Sequence, residues 1–296
     1  MASSQDVRFN EERIAQGLAL VNKLWNAARL VLLGVGPESR GELTAERIED
    51  RWIASRLARA KAEVLRRIAA YDFAHVAFVL YDFIYGELCD WYLELVKPRL
   101  RDGEEAVRSM LLYVLGETLA MAHPVIPFVT EEIYGYLPGS DGLLAAGIEP
   151  HVEQIDERAE ASLQRMIEAV QALRAWRDLA EVKAGATLPA RLAAEGYEEA
   201  AEQLARMARL SLTSDGAEPA ASVAIPGGVV EVLPSPELDL GAAERRRAKR
   251  QSALEREIEQ ASSKLANPGF VAKAPPHVVE AEREKLARLK DELEAL

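Results

Sequence analysis

The sequence predicts a mainly α-helical protein in three parts: an antiparallel helical bundle, a small α/β module and a C-terminal antiparallel coiled-coil hairpin. Three observations predict it. Long stretches repeat apolar residues at spacings of three and four with short links between them, the pattern of packed amphipathic helices. Between residues 188 and 233 that pattern gives way to short runs around Pro226-Gly227-Gly228, the pattern of strands and a hairpin turn. The last stretch carries two heptad seams, Leu254, Ile258, Ala261 and Leu265, then Leu286, Leu289, Leu293 and Leu296. Expected boundaries are 1–140 for the bundle, 150–236 for the module and 239–296 for the hairpin.

In chain order, Asn10 is expected to cap a first helix to about Leu33, with Ile14, Leu18, Val21, Trp25, Ala28 and Leu32 on its inner face. Thr44 is expected to cap a second helix to about Ala70, with Ile48, Trp52, Leu57, Val64 and Ile68 inward. A third, rich in aromatic residues, spans Phe73 to Val96 and is closed by Pro98. A fourth begins near Gly103 and breaks at His123-Pro124-Val125-Ile126-Pro127, after which Phe128–Leu137 is a short helix. Gly139–Gly147 marks a boundary. A helix then runs from about Val152 to Lys183, followed by strands at Leu188–Ala193, Ser222–Ile225 and Val229–Leu233 and a helix at Tyr197–Ala208. Pro234-Ser235-Pro236 is a semi-rigid link. In the hairpin, Asn267–Pro276 holds three prolines and a glycine, so the chain reverses there.

Composition narrows the function classes. Cys89 sits in an apolar run and reads as a buried small hydrophobe in a reducing compartment. No 18-residue apolar run and no signal peptide appears, so a cytoplasmic protein without membrane contact is expected. The four histidines, at 75, 123, 151 and 277, lack metal-ligand spacing, so no metal site is expected. No Ser/His/Asp set and no phosphate-cradling glycine loop stands out, so no catalytic residue is assigned.

Charge is unevenly placed. The chain carries −12 overall, yet residues 239–296 hold 12 Lys/Arg against 11 Asp/Glu. Arg245, Arg246, Arg247, Lys249 and Arg250 give five cations in six positions at the root of the hairpin. A near-neutral arm with a basic root on an acidic body suits a polyanion. A solvated coiled-coil surface is also charge-rich, and an oligomerisation hairpin or spacer is the alternative. In the bundle, Asn22, Lys23, Asn26 and Arg29 recur at spacings of three and four on a polar face of the first helix. Asn offers a donor and an acceptor to a base edge, and Arg and Lys offer phosphate contacts or stacking. Equally, Asn26 and Arg29 could join neighbouring helices. Trp25 and Trp91 are read as core. The arginines at 51, 56, 59, 66 and 67 are interleaved with Glu49, Asp50 and Glu63 and read as a solvated ion-pair surface.

Asn-Pro-Gly-Phe-Val-Ala-Lys-Ala-Pro at 267–275, with Val278-Val279-Glu280 and Glu282-Arg283, resembles the C-terminal arm of bacterial valyl-tRNA synthetases. Three further stretches resemble the anticodon-binding bundle of the synthetases for valine, isoleucine, leucine and methionine. They are Asn22–Arg29, Cys89–Glu94 with Lys97-Pro98, and His123–Phe128 with Thr130-Glu131-Glu132. The Trp-Asn-Ala-Ala-Arg and Cys-Asp-Trp-Tyr-Leu-Glu forms are similar to the valyl branch. The resemblance implies the tRNA-recognition portion of a valine–tRNA ligase, acting as a monomer on valine tRNA and not on DNA. The bundle would hold the anticodon stem-loop, through Asn22, Lys23, Asn26 and Arg29. The arm would brace the outer corner where the D and T loops meet, through Arg245, Arg246, Arg247, Lys249, Arg250, Lys264 and Lys273. Neither the His-Ile-Gly-His-like nor the Lys-Met-Ser-Lys-Ser-like string of this class appears, so ATP chemistry and editing are expected outside this chain, which needs no cofactor of its own. The alternatives are a non-catalytic coiled-coil interaction protein and a freestanding paralogue that acts on tRNA in trans.

Overall fold

The structure is a computed structural model that describes residues 11–147, 155–238 and 240–266, with 279, 282–283, 285–286, 288–289 and 293 beyond them; the side chains of 11–14, 16, 146–147, 240, 242–250 and 253 are outside that description. The chain is mainly helical and forms two compact units. One comprises residues 1–169 with 195–207, and the other 170–194 with 208–296.

In the first unit α1 (Glu11–Gly34), α2 (Ile48–Ala69), α5 (Glu105–Ala122) and a long bent element between them form the bundle. The expected Asn10 cap lies outside the described residues. Thr44 does not cap α2. The helix starts after Arg47, with no side-chain cap, because the Thr44 hydroxyl donates instead to the Ala106 carbonyl at 2.7 Å. The inner face of α2 is as expected, with Ile48, Trp52, Leu57 and Val64 buried; Ile68 is only half-buried. At its C-terminus Tyr71 takes φ 57°, and the amides of Tyr71 and Asp72 donate to the Ile68 and Arg67 carbonyls. This closes the helix as a left-handed cap usually does with glycine.

The third expected helix is longer than its sequence suggests, and Pro98 does not close it. It comprises α3 (Phe73–Tyr81), a π-helical stretch (Asp82–Tyr92) and α4 (Leu93–Arg101), with Pro98 inside α4. An internal proline removes the N–H that would bond the carbonyl four residues back. That carbonyl belongs to Glu94, and Arg206 donates to it at 3.2 Å and to the Leu95 carbonyl at 2.6 Å. A side chain distant in sequence thus supplies donors where the backbone cannot.

Gly103, at φ 79°, turns the chain into α5. The His123–Ile126 link breaks the helix as expected, and α6 (Pro127–Tyr134) follows with proline at its first position, where no amide is needed. A four-residue helix, α7 (Leu144–Gly147), lies in the expected boundary stretch. Asp156 then caps α8 (Glu157–Leu179): its carboxylate accepts from the Ala159 amide at 2.9 Å. The expected start near Val152 falls outside the described residues.

Beneath these packing contacts lies a buried ionic cluster. Arg99 donates to Glu49 at 2.9 Å, Asp50 at 2.8 Å and Glu104 at 2.8 Å. Tyr92 donates to the other Asp50 oxygen at 2.8 Å, and Gln203, from α9 (Ala201–Ala208), donates to Glu49 at 3.0 Å. Glu49, Asp50 and Arg99 are all buried. Burial pushes the Asp50 carboxyl above the usual carboxylate range, and the bonds from Arg99 and Tyr92 oppose it.

The second unit holds a four-stranded mixed sheet in the order β2-β1-β4-β3. β1 (Leu188–Ala194), β3 (Ala221–Ile225) and β4 (Gly228–Val232) match expectation, and β3 and β4 form the hairpin with Ile225 opposite Gly228. Pro226 followed by Gly227 at φ 83° suits a type II turn. A Cβ on Gly228 would meet the Ala193 carbonyl oxygen at 2.2 Å, so only glycine lets β4 approach β1 there. The sequence reading missed β2 (Leu210–Leu212), which pairs parallel to β1. Buried Arg177, near the end of α8, donates to the carbonyls of Lys183, Ala186 and Arg209, holding the turn into β1 and the start of β2.

Last, α10 (Leu240–Ala266) buries Leu254 and Ala261, with Ile258 and Leu265 half-buried. Val279 and Leu289 are helical and buried, Leu286 and Leu293 helical and half-buried, and Lys264 lies 3.5 Å from Glu282. The Asn267–Pro276 connector and Leu296 lie outside the described residues.

Two expectations follow. Arg99→Met strands two buried carboxylates, and we expect a loss of about 3–5 kcal/mol in urea denaturation. The Asp72 carboxyl at the α2–α3 corner is held down to about 2 by hydrogen bonds from His75 and then Arg67. Its contribution is therefore complete above its unfolded value of about 3.9 and is lost as pH falls through about 2. Protection factors of the amides at residues 70–76, which are corrected for the intrinsic pH dependence of exchange, should fall as pH is lowered through that window and stay constant just above it.

Candidate nucleic-acid interface

The rotation of α1 decides which of its residues meet solvent. Its buried residues are Leu20, Leu24, Ala27, Ala28 and Val31. The expected inner face is therefore displaced by about 90° around the helix, taking roughly 100° per residue. Leu18 and Trp25 are exposed, Val21 and Leu32 half-buried, and of the described members of that set only Ala28 is fully buried; the Ile14 side chain lies outside the described residues. Two apolar series share this helix, and the one that packs is the narrower-shouldered 20, 24, 27, 31.

Opposite the buried stripe, Leu18, Asn22, Trp25, Asn26, Arg29 and Leu33 are exposed within about 100° of arc. The structure thus brings together Asn22, Asn26 and Arg29 of the four predicted residues, and puts an indole beside them. Among the described residues these three side chains make no hydrogen bond or ion pair, which disfavours the reading that Asn26 and Arg29 join helices. Trp25, read as core from the sequence, is 41% exposed and meets Tyr136 edge-on at 6.3 Å. Trp91 is half-buried.

Lys23 stands apart on the flank. Its ammonium is 2.9 Å from Asp90 and 4.9 Å above the Tyr85 ring. The hydrogen bond to Asp90 holds it above the usual lysine range, so it is charged but already neutralised. The α2 arginines are ion-paired, but only Arg66 and Arg67 use an interleaved acid, Glu63; Arg51 pairs with Asp156, Arg56 with Glu87 and Arg59 with Glu160, all from outside α2, while Glu49 and Asp50 are buried against Arg99. Cys89 is buried, and burial pushes its thiol up to about 11, so it is no nucleophile.

On the arm, the backbone of residues 245–250 is helical, and the side chains of Arg245, Arg246, Arg247, Lys249 and Arg250 lie outside the described residues, as does Lys273 altogether. Lys264 is exposed and shares its charge with Glu282. The sequence reading missed Tyr136 and Phe128, the latter 91% exposed. No periodicity flags them: Phe128 lies on α6, which is too short to show an apolar face, and Tyr136 lies in the turn beyond it.

A face that combines amide side chains, a guanidinium and an accessible aromatic ring can read unstacked bases, by hydrogen bonds to their edges and by stacking. Residues 50–192 match the model of the anticodon-binding domain of tRNA ligase, and residues 239–296 match that of the valyl tRNA synthetase tRNA binding arm. The chain is 35% identical to the valine–tRNA ligase of Dehalococcoides mccartyi over 95% of its own length and 34% of the relative's. It is 34% identical to that of Acinetobacter baylyi over 98% of the chain and 33% of the relative. The same identity holds for Geobacter sulfurreducens, over 100% and 36%. The chain belongs to the valine–tRNA ligase family. It spans about a third of the length of the curated relatives it matches. Its anticodon-binding and tRNA-binding-arm domains give this family member a role in tRNA recognition. Among the described residues no group of His, Cys, Asp and Glu is placed to hold a metal, and no helix is long and apolar enough to cross a membrane.

The rotation of α1 is testable without RNA. Leu24→Ala should cost about 2–5 kcal/mol, whereas Trp25→Ala should cost no more than about 1.5 kcal/mol, the worth of an edge-on aromatic pair. Urea denaturation of the two variants checks the order.

Proposed function

We propose that this chain is the tRNA-recognition portion of a valine–tRNA ligase and binds valine tRNA at two places. The observation that carries the reading is the match of an anticodon-binding domain and of a tRNA-binding arm on one chain; α1, which precedes the first match, presents Asn22, Asn26 and Arg29 beside Trp25 on one exposed face. Asn22 and Asn26 read base edges of the anticodon loop, Arg29 holds a phosphate or stacks, and Trp25 offers a ring to a splayed base. Lys23 holds α1 to Asp90 and contributes positive potential rather than a direct contact.

The arm is a coiled-coil hairpin that braces the outer corner of the tRNA. Heptad burial at Leu254, Ala261, Val279 and Leu289 supports the hairpin, and the basic root at Arg245–Arg250 supports backbone contact. Lys264 and Lys273 extend that contact along the arm. Two contacts on one rigid RNA act with high effective concentration, so losing either weakens binding more than its own share. The chain works as a monomer in the cytoplasm, independent of DNA and membrane. Activation of valine with ATP, and transfer to the tRNA, belong to a part of the ligase outside this chain. The bound tRNA is oriented for that part, so the effect on rate is one of positioning.

Binding of valine tRNA, beside the same tRNA with a changed anticodon and across a salt series, tests the reading. We expect the anticodon change to weaken binding, and Asn26→Ala to weaken it by about 1 kcal/mol, as for one lost neutral hydrogen bond. Equal affinity for both tRNAs would remove the anticodon assignment. Reversing Arg245, Arg246 and Arg247 to Glu should lower affinity and make the slope of log K against log salt shallower by roughly two to three. An unchanged slope would remove the arm's root from the interface.

A further inference from the structure

An open groove of about 520 Å³, within the range of small-molecule sites, lies along α6. Pro127, Phe128, Glu131, Glu132 and Tyr136 line it, with Leu143 from the segment before α7. Phe128 is 91% exposed, Leu143 63% and Tyr136 60%. Trp25 meets the Tyr136 ring edge-on at 6.3 Å, so the groove is continuous with the exposed face of α1. Its two carboxylates are held in place by local bonds. The Tyr136 phenol donates to Glu132 at 2.9 Å, and the Leu144 amide donates to Glu131 at 3.0 Å. The Glu132 carboxylate holds the Tyr136 phenol above its ordinary value, so that donor keeps its proton. In each carboxylate the second oxygen has no partner among the described residues. The described lining includes no Lys or Arg. Rings beside free carboxylate oxygens suit a base with its amine, and they do not suit a phosphate. The groove also sits inside the 50–192 match to the anticodon-binding domain, which α1 precedes.

We propose that this groove is a second base subsite beside α1, that it takes the cytosine of the valine anticodon, and that Glu132 is the side chain that specifies it. The proposal rests on the tRNA-recognition reading above. Every valine codon begins with G and U, so pairing puts A and C in the last two anticodon places. The chemistry of the two adjoining surfaces divides these bases. A side-chain amide complements the paired donor and acceptor of adenine, which suits Asn22 and Asn26. A carboxylate accepts from the N4 amine of cytosine and repels the O4 oxygen that uracil carries at the same place. Phe128 and Tyr136 supply stacking, which any base can use. Arg29, one helical turn beyond Trp25, serves the phosphate that an acidic groove cannot hold.

The test measures binding of the 296-residue chain to valine tRNA and to two single-base variants, one with uracil for the cytosine and one with hypoxanthine for the adenine. Each change replaces an amine by a carbonyl oxygen. We expect each to weaken binding about tenfold, as for one hydrogen bond of a base edge. Glu132→Gln should weaken binding of the unaltered tRNA and remove most of the uracil penalty, because its amide can donate to O4, while the hypoxanthine penalty remains. Phe128→Ala should weaken all three complexes about tenfold, the share of one stacked base. Both side chains are exposed, so neither variant should move the thermal midpoint. A uracil penalty that survives in Glu132→Gln would overturn the proposal and leave the anticodon reading standing. So would a gain in affinity of Glu132→Gln for all three tRNAs, which would make the carboxylate only a repeller of phosphate. Native affinity in Phe128→Ala would overturn it as well. No binding, or equal binding of the three tRNAs by the native chain, would remove the anticodon reading and this proposal together.

Discussion

The bundle is organised on one buried cation. Arg99 reaches Glu49, Asp50 and Glu104 together, and so joins the start of α2 to the end of α4 and the residue preceding α5. A guanidinium suits this place because its planar fork can serve several carboxylates at fixed angles, which an ammonium cannot. Desolvating these charges is costly, and the cluster is favourable only because nearly every lone pair is used. Tyr92 and Gln203 take the remaining oxygens of Asp50 and Glu49, and Arg47 that of Glu104. The Gln203 carbonyl oxygen is the one fully buried atom of the cluster left without a partner among the described residues.

The same cluster explains how a helix survives an internal proline. α9 contributes Gln203 to the ionic cluster and, one turn on, Arg206 to the Glu94 and Leu95 carbonyls. The bonds reinforce each other: Gln203 fixes the helix that carries Arg206, and Arg206 restores acceptors that Pro98 would strand. Burial lowers the Arg206 guanidinium from its ordinary value, yet it remains a donor at any accessible pH. The π-helical stretch just before α4 belongs to the same element, and π turns often occur near functional positions. Here it carries Asp90 and Tyr85, the residues that hold Lys23 to the flank of α1.

That attachment has a functional consequence. With Lys23 held to Asp90 and Leu20, Leu24, Ala27 and Val31 packed inward, α1 has one rotation available. The side chains of Asn22, Asn26 and Arg29 then face outward with no partner among the described residues, and Trp25 stands with them.

Much of the architecture was legible because it depends on local pattern. Spacings of three and four located the bundle helices, Pro226-Gly227 located the hairpin of β3 and β4, and the 267–275 string with the Trp-Asn-Ala-Ala-Arg stretch pointed to the family. The candidate site was legible in kind: three of the four residues chosen on α1 do share an exposed face. What the sequence could not determine depends on groups far apart along the chain. Thr44 has the chemistry of a cap but spends its hydroxyl on Ala106, and Pro98 has the chemistry of a helix end but is rescued by Arg206. The three-residue β2 has no pattern of its own and exists because β1 offers a free edge. α1 is apolar around most of its girth, so its own residues permit two rotations. Only packing against α4–α6 and the π-helical stretch, with the Lys23–Asp90 bond, selects the one that puts Trp25 in water. The sequence by itself determined most of the elements, because those follow from local spacing, and its motif strings carried the resemblance to the family. The tertiary structure decided which face of each element is free to act, because that depends on partners tens of residues away.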